Sequence, residues 1–282
     1  MTRIIALTST AMIAFAANSV LARLALLPEG ADPLAYTGIR LASGAAALAI
    51  IVAILRRGIT VSGSWSASAA LFGYALAFSL AYVMVGAGTG ALILFASVQI
   101  GVIGWAIIKG DRPTPLQWLG IAVAFAGLAY LVSPGLVAPS PIGALLMFGA
   151  GLCWAAYTLI GRGSSSPLAD TTGNFIRCLP LALALIVVGI WWHGLDWRSA
   201  AYASVSGVVA SGIGYAIWYA VLPALNRTRA AIVQLTVPAI AGLGGVMLIH
   251  ETLNQRLIVA SFAILGGVAV ALIARERHRG QN

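Results

Sequence analysis

The sequence predicts an all-α membrane protein, with ten transmembrane helices arranged as two inverted five-helix repeats. Three observations predict it: the composition, the number of long apolar runs, and an ordered similarity between the two halves of the chain. Of the 282 residues, 61% are hydrophobic and only 8% are charged. Because soluble domains carry about 25% charged residues, this composition is typical of a chain that lies almost wholly within a bilayer.

Ten apolar runs are long enough to cross the hydrocarbon core, which takes about 20 helical residues. A backbone in lipid must satisfy its own hydrogen bonds, and the runs are continuous rather than alternating, so we predict helices and not a barrel. The predicted spans are residues 4–26, 34–55, 66–85, 90–108, 116–133, 142–160, 171–192, 200–221, 230–249 and 257–274.

The basic residues predict the orientation of these spans. Ten spans place both termini on one side of the membrane, and the loops and tails of that side carry most of the 16 Lys and Arg residues. The loops of the opposite side carry only Arg198 and Arg256. Basic loops remain cytoplasmic, so we expect both termini in the cytoplasm. Topology thus accounts for the net charge of +9, and we expect no nucleic-acid partner.

The two halves of the chain resemble each other at an offset near 139 residues, which predicts repeats over residues 1–138 and 139–282. The aligned pairs are Phe15 with Trp154, Asn18 with Tyr157, Arg23 with Arg162, Arg40 with Arg177, Phe78 with Tyr215, Tyr82 with Tyr219, Asp111 with Glu251 and Gly127 with Gly267. Because each repeat has five spans, an odd number, the second enters the membrane from the opposite side. Inverted repeats are typical of secondary transporters, which bind solutes near the midplane and alternate access to them.

These residues resemble the drug/metabolite transporter superfamily, in its ten-helix EamA-type branch, over nearly the whole chain. The family pattern at the end of each repeat is a proline, then an acidic residue, then glycines. The second repeat carries Pro238, Glu251, Gly266 and Gly267, and the first carries Asp111, Gly120 and Gly127, with Gln99 near the usual proline position. The chain looks most like bacterial amino-acid exporters. The resemblance implies export of a small metabolite, such as a neutral or aromatic amino acid, across a bacterial inner membrane.

Aromatic and amide side chains at equivalent positions of the two repeats predict a central substrate site. Phe78 and Tyr82 are four residues apart and share a helix face, and Tyr215 and Tyr219 repeat this spacing. Helix packing or interfacial aromatic belts would give the same pattern. The predicted substrate-binding residues are Asn18, Phe78, Tyr82, Gln99, Trp154, Tyr157, Tyr215, Trp218, Tyr219 and Gln234. The two glutamines either bond across helices or line the cavity.

Two arginines, Arg40 and Arg177, lie about two turns inside their predicted spans. Each either extends its charge to the nearer interface or contacts a carboxylate of the substrate. All seven acidic residues are expected in loops or tails, which leaves no titratable carboxylate deep in the membrane. Proton-driven transporters commonly use such a group, so we predict movement down a gradient without proton coupling.

Other classes of function find less support in the sequence. No mid-membrane pair of catalytic residues and no metal-ligand spacing occurs, so we expect neither an enzyme nor a cofactor or metal. An exchanger of phosphorylated metabolites or nucleotide sugars would need a cluster of Lys or Arg in its cavity. The alternatives are such an exchanger, a drug efflux protein, and a receptor or structural membrane protein. The expected partners are a small-molecule substrate and the bilayer, with the protein as a monomer.

Overall fold

The computed structural model describes residues 2–27, 31–56, 62–110, 112–135, 138–225 and 227–279, and every regular element in them is helical. The first seven helices are α1 (Thr2–Leu26), α2 (Pro33–Arg56), α3 (Trp65–Tyr82), α4 (Ala87–Ile108), α5 (Pro115–Val132), α6 (Pro141–Ile160) and α7 (Pro167–His193). The last three are α8 (Trp197–Val205, Ser206–Ile213 and Gly214–Val221, with a final turn Leu222–Ala224), α9 (α9a, Arg227–Gln234; α9b, Thr236–Ile249) and α10 (Gln255–Arg279).

Nine of the described helices are long and apolar enough to cross a bilayer. The tenth, α3, has 18 residues and includes serines, tyrosines and a tryptophan along its length. These lower its hydropathy without shortening it. The all-α, ten-helix membrane fold predicted from the apolar runs is therefore confirmed.

Side-chain caps set several of the helix starts. Ser64 accepts a hydrogen bond from the Ala67 N–H before α3, and Thr114 and Gln117 form a reciprocal capping box before α5. The prediction was wrong at the start of α7, which begins at Pro167 rather than at residue 171. Asp170 was expected in a loop, but it lies in the first turn of that helix.

The contacts between helices follow the pseudo-two-fold relation between the two repeats. Helix α2 packs along α7, and α5 packs along α10, so each of these helices meets its own counterpart. Helix α1 packs against α8 and α9b, while its counterpart α6 packs against α3 and α4. Exchanging the two repeats reproduces these principal contacts. The core therefore forms between the repeats, with α1 and α6 each embedded in the opposite repeat.

Glycines bring the paired helices into backbone contact. A Cβ atom built on Gly120 of α5 would lie 2.5 Å from the carbonyl oxygen of Gly267 in α10, and the reciprocal substitution would also give 2.5 Å. Such contacts are typical of membrane helices that approach closely through small residues. Gly120 and Gly267, two of the glycines in the family pattern, thus allow α5 to pack closely against α10.

Two irregular segments occur in the second repeat. Helix α9 breaks at Leu235 between its two parts, because Pro238 has no N–H to donate to the carbonyl of Gln234. Pro238 therefore interrupts α9, whereas α7 runs unbroken through its internal Pro180. Helix α8 is π-helical over Ser206–Ile213. Such segments frequently occur at functional sites, and this one reaches the central cavity.

Candidate functional site

A cavity of about 490 Å³ lies between the two repeats. It is lined by α1, α3 and α4 of the first repeat and by α6, α7, α8 and α9 of the second. This volume is in the ordinary range for a small-molecule site. Nine of the ten predicted substrate-binding residues line it: Asn18, Phe78, Gln99, Trp154, Tyr157, Tyr215, Trp218, Tyr219 and Gln234.

Stacked aromatic rings form the wall of the cavity around Trp154. The ring centroid of Trp154 lies 4.8 Å from Tyr74, 5.3 Å from Tyr157 and 5.6 Å from Tyr215. The rings of Trp154 and Tyr215 are nearly parallel, at 17°, and Tyr215 stacks in turn on Tyr219 at 6.1 Å. The wall therefore offers π-faces from both repeats.

Tyr82 is the one predicted residue of this set that does not line the cavity. Its side chain is completely buried, and its ring packs edge-on against Phe78 at a centroid distance of 4.6 Å. A Cβ atom on Gly90 would lie 2.6 Å from the Tyr82 ring, so the glycine leaves room for it. Tyr82 therefore supports the wall from behind. The sequence pattern did not separate Tyr82 from Phe78 or from Tyr219, its aligned residue, because the spacing of four residues is the same in both repeats.

The end of the cavity farthest from its mouth, which we call the inner end, is polar and centres on Asn18. The Asn18 amide nitrogen donates to the Tyr74 hydroxyl at 3.1 Å. Its amide oxygen accepts hydrogen bonds from Arg40 Nη1 at 3.0 Å and from Ser206 Oγ at 2.7 Å. The π-helical segment of α8 thus supplies one of the groups that orient Asn18.

The two predicted arginines take different positions, and neither lines the cavity. Arg40 is 2% exposed, and its guanidinium lies over the rings of Tyr74 and Phe78, at 5.5 and 4.8 Å. Such cation–π contacts stabilise a desolvated guanidinium. Arg40 therefore points into the protein, directly behind Asn18, and does not extend to the interface.

Arg177, the counterpart of Arg40, is half-buried and points away from the centre. It donates to the Ser62 carbonyl oxygen and lies 5.8 Å from the centroid of the Trp65 ring. It thereby ties α7 to the segment that precedes α3.

The mouth of the cavity lies where the α6–α7 and α8–α9 connections meet. Asp170 lines it and accepts a hydrogen bond from Ser164 Oγ. One turn deeper, the Tyr157 hydroxyl donates to Thr171 Oγ1 at 3.0 Å, which donates to the Tyr219 hydroxyl at 3.1 Å. Hydroxyl groups therefore line the passage between the mouth and the aromatic wall.

The opposite end of the molecule is closed by Arg23 and Glu251. The Glu251 carboxylate accepts hydrogen bonds from the Ala87 N–H at 2.9 and 3.0 Å, and it lies 3.4 Å from Arg23 Nε. Arg23 Nη1 also donates to the Tyr82 carbonyl oxygen at 2.9 Å. We call Arg23, Ala87 and Glu251 the closing cluster.

Backbone geometry explains why Glu251 reaches across to the first repeat. Helix α9b ends at His250 in the left-handed conformation, with φ of 59°, and the Glu251 N–H then bonds back to the Gly245 carbonyl. A Cβ atom on Gly245 would lie 2.7 Å from Glu251 Oε2, so the glycine leaves space for the carboxylate. The closing cluster therefore joins the second repeat to the ends of α1, α3 and α4. Asp111, the residue of the first repeat that aligns with Glu251, lies outside the described residues.

Several cavity residues were not among those predicted. Tyr74 lies one turn before Phe78, and this spacing could have identified it. Phe15 aligns with Trp154 and packs against Tyr215 at a centroid distance of 5.6 Å. Asp170 was missed because the predicted start of α7 excluded it.

The comparisons with known proteins agree with this architecture. The EamA-like transporter family matches the chain twice, over residues 2–133 and 141–273. An uncharacterized protein of Pseudomonas aeruginosa is 46% identical over 97% of this chain and 96% of its own length. The uncharacterized transporter YwfM of Bacillus subtilis is 28% identical over 82% and 81% of the two chains.

Two further similarities are more distant. The threonine/homoserine exporter RhtA of Salmonella typhimurium is 27% identical over 58% of this chain and 57% of its own length. A solved crystal structure with 21% sequence identity matches 95% of this chain and 97% of its own chain, with a TM-score of 0.65, and so shares the fold. The double family match covers nearly all of both repeats, and the chain therefore belongs to the EamA-like transporter family of membrane proteins.

Proposed function

We propose that the protein exports a small metabolite, with neutral and aromatic amino acids as the favoured substrates, across a bacterial inner membrane by alternating access. The observation that carries this proposal is the aromatic wall around Trp154 in a cavity between the two repeats. Aromatic faces with a few amides and hydroxyls suit an amphipathic or zwitterionic solute. The similarity to a threonine/homoserine exporter supports the same class of substrate.

A polyanionic substrate fits this cavity less well. Among the described lining residues, Arg162 is the only Lys or Arg, and Asp170 adds a carboxylate at the mouth. An exchanger of phosphorylated metabolites would need several cations to compensate the charge of each phosphate. The mixed charge of the mouth therefore favours a solute with little net charge.

The proposed transport cycle is based on the difference between the two ends of the molecule, one with an open mouth and one held by the closing cluster. With the termini in the cytoplasm, as the basic loops predict, the open mouth faces the cytoplasm and the closing cluster lies on the outer side. Arg162 and Asp111 are the sequence counterparts of Arg23 and Glu251. In our proposal the closing cluster opens outward while the mouth closes, as the inverted repeats exchange their arrangements.

We propose that the substrate gradient drives this cycle. The described acidic residues lie at helix ends: Asp32, Asp170 and Asp196 at helix starts, Glu251 after α9b, and Glu276 near the end of α10. None of them lies midway through a span, where proton-coupling groups commonly occur. Asp170 is the one that lines the cavity, and Ser164 already donates a hydrogen bond to it.

Trp154→Ala should lower transport, because it removes the ring on which Tyr74, Tyr157 and Tyr215 pack. Losing an aromatic contact costs about 0.5–1.5 kcal/mol, which corresponds to roughly a two- to tenfold lower rate. The measurement is uptake of labelled neutral and aromatic amino acids by proteoliposomes with equal protein content. Trp191→Ala is the matched control, since Trp191 is 81% exposed near the end of α7 and should tolerate the change. Equal rates for the two variants would contradict the assignment of the cavity.

A further inference from the structure

We propose that Asn18, Tyr74 and Arg40 form an anion subsite at the inner end of the cavity, and that this subsite takes the carboxylate of the transported solute. This inference rests on the proposed function and adds to it the orientation and charge of the substrate. It requires a buried cation that lacks an acidic partner, a path from the cavity to that cation, and a reason why the second repeat does not have the same site.

The first requirement is met by the charge of Arg40. Its side chain is 2% exposed, and no acidic side chain among the described residues lies within 4 Å of it. Its Nε atom is buried without a hydrogen-bond partner. A buried charge without a counter-ion is costly, and the two aromatic faces beside Arg40 compensate it only in part. An anion at this end of the cavity would complete the compensation.

The path from the cavity runs through Asn18 and Tyr74, which both line it. The Asn18 amide nitrogen and the Tyr74 hydroxyl now bond to each other at 3.1 Å, and both can donate to a carboxylate placed between them. The Arg40 guanidinium lies one hydrogen bond behind, at 3.0 Å from the Asn18 oxygen. Because Tyr74 and Phe78 cover the guanidinium and exclude water, its field at the subsite is weakly screened.

The second repeat does not reproduce this arrangement. Tyr157 stands where the first repeat has Asn18, and its hydroxyl donates to Thr171. Arg177 stands where the first repeat has Arg40, but it donates to the Ser62 carbonyl and lies against Trp65. Among the described residues, the second repeat therefore offers no counterpart of this subsite. A monocarboxylate would bind with its charged group at the inner end and its apolar part against Trp154.

The test compares two probes that differ only in charge, 3-phenylpropionate and its neutral amide, 3-phenylpropionamide. Binding to the purified full-length protein in detergent is measured by titration calorimetry. The wild-type protein should bind the carboxylate at least tenfold more tightly than the amide. Asn18→Asp places a carboxylate next to Arg40 and should weaken binding of the carboxylate probe at least tenfold more than it weakens binding of the amide probe.

Arg40→Gln is the second variant, and it removes the charge instead of neutralising it with a neighbour. The Arg40→Gln protein should bind the carboxylate probe and the amide probe with equal affinity. Gel filtration and melting temperature show whether each variant is folded, and if one of them does not fold, the other decides. Equal binding of both probes to the wild type, or an undiminished preference for the carboxylate in the folded variants, would overturn the subsite. These binding results do not depend on transport. If the protein binds the probes as predicted but transports no solute, the subsite is supported and the proposed function is contradicted.

Discussion

Glu251→Ala should expose the cavity to the outer side of the membrane. The substitution removes the carboxylate that joins Arg23 and the Ala87 N–H to the second repeat. Hydrogen bonds to charged groups contribute about 1.5–3 kcal/mol each. Loss of even one such bond would shift the equilibrium towards the outward-open form roughly ten- to hundredfold.

The measurement is the rate at which a membrane-impermeant thiol reagent modifies Ser211→Cys from outside. Ser211 lines the cavity, and the native Cys153 and Cys178 are replaced by alanine in this background. Asp196→Asn is the matched control. Asp196 is also an acidic residue that accepts backbone hydrogen bonds, but it caps α8 within the second repeat. We expect labelling at least tenfold faster in Glu251→Ala and unchanged in the control. Equal labelling rates would show that the closing cluster does not hold this end shut.

Gly267→Leu should prevent the stable association of the two repeats. A Cβ atom at this position would lie 2.5 Å from the Gly120 carbonyl oxygen and 2.6 Å from the Ala124 nitrogen, both of them backbone atoms of α5. Forcing extra atoms into a packed interface costs about 1–3 kcal/mol and occasionally more, and a leucine must displace the whole helix. We expect a strongly reduced yield of monodisperse protein and a lower melting temperature.

The neighbouring Gly266 provides a matched control for this prediction. A Cβ atom there would meet nothing within 4 Å, so Gly266→Leu adds the same side chain without a clash. Yield and melting temperature of this variant should be close to those of the wild type. If both variants were equally stable, the backbone contact between α5 and α10 would not be what joins these helices.

The sequence predicted the helices well because the bilayer imposes a simple rule on length and hydropathy. It also predicted most of the cavity wall, since the aromatic residues recur at helical spacing and at equivalent positions of the repeats. It did not distinguish Tyr82 from Tyr219. They occupy equivalent positions, but Tyr82 lies behind Phe78 and next to Gly90, whereas Tyr219 lines the cavity. The environment that separates them comes from other helices.

Other features of the site depend on contacts that no local pattern encodes. The π-helical segment of α8 brings Ser206 within 2.7 Å of Asn18, and the sequence of this segment did not predict that it departs from an α-helix. The arginines Arg40 and Arg177 occupy aligned positions, yet Arg40 lies against two aromatic rings inside the protein, whereas Arg177 lies beside Trp65. Asp170 was missed because a carboxylate in an apolar chain suggests a loop, whereas here it occupies the first turn of α7.

The most direct test of the central claim is solute counterflow in proteoliposomes without a pH gradient. Vesicles are loaded with an unlabelled neutral or aromatic amino acid, and uptake of a trace of the labelled form is followed. A carrier that alternates access without proton coupling should accumulate the label transiently above its outside concentration, and a proton ionophore should leave the rate unchanged. Absence of counterflow for all amino acids tested, or accumulation only under an imposed proton gradient, would contradict the account.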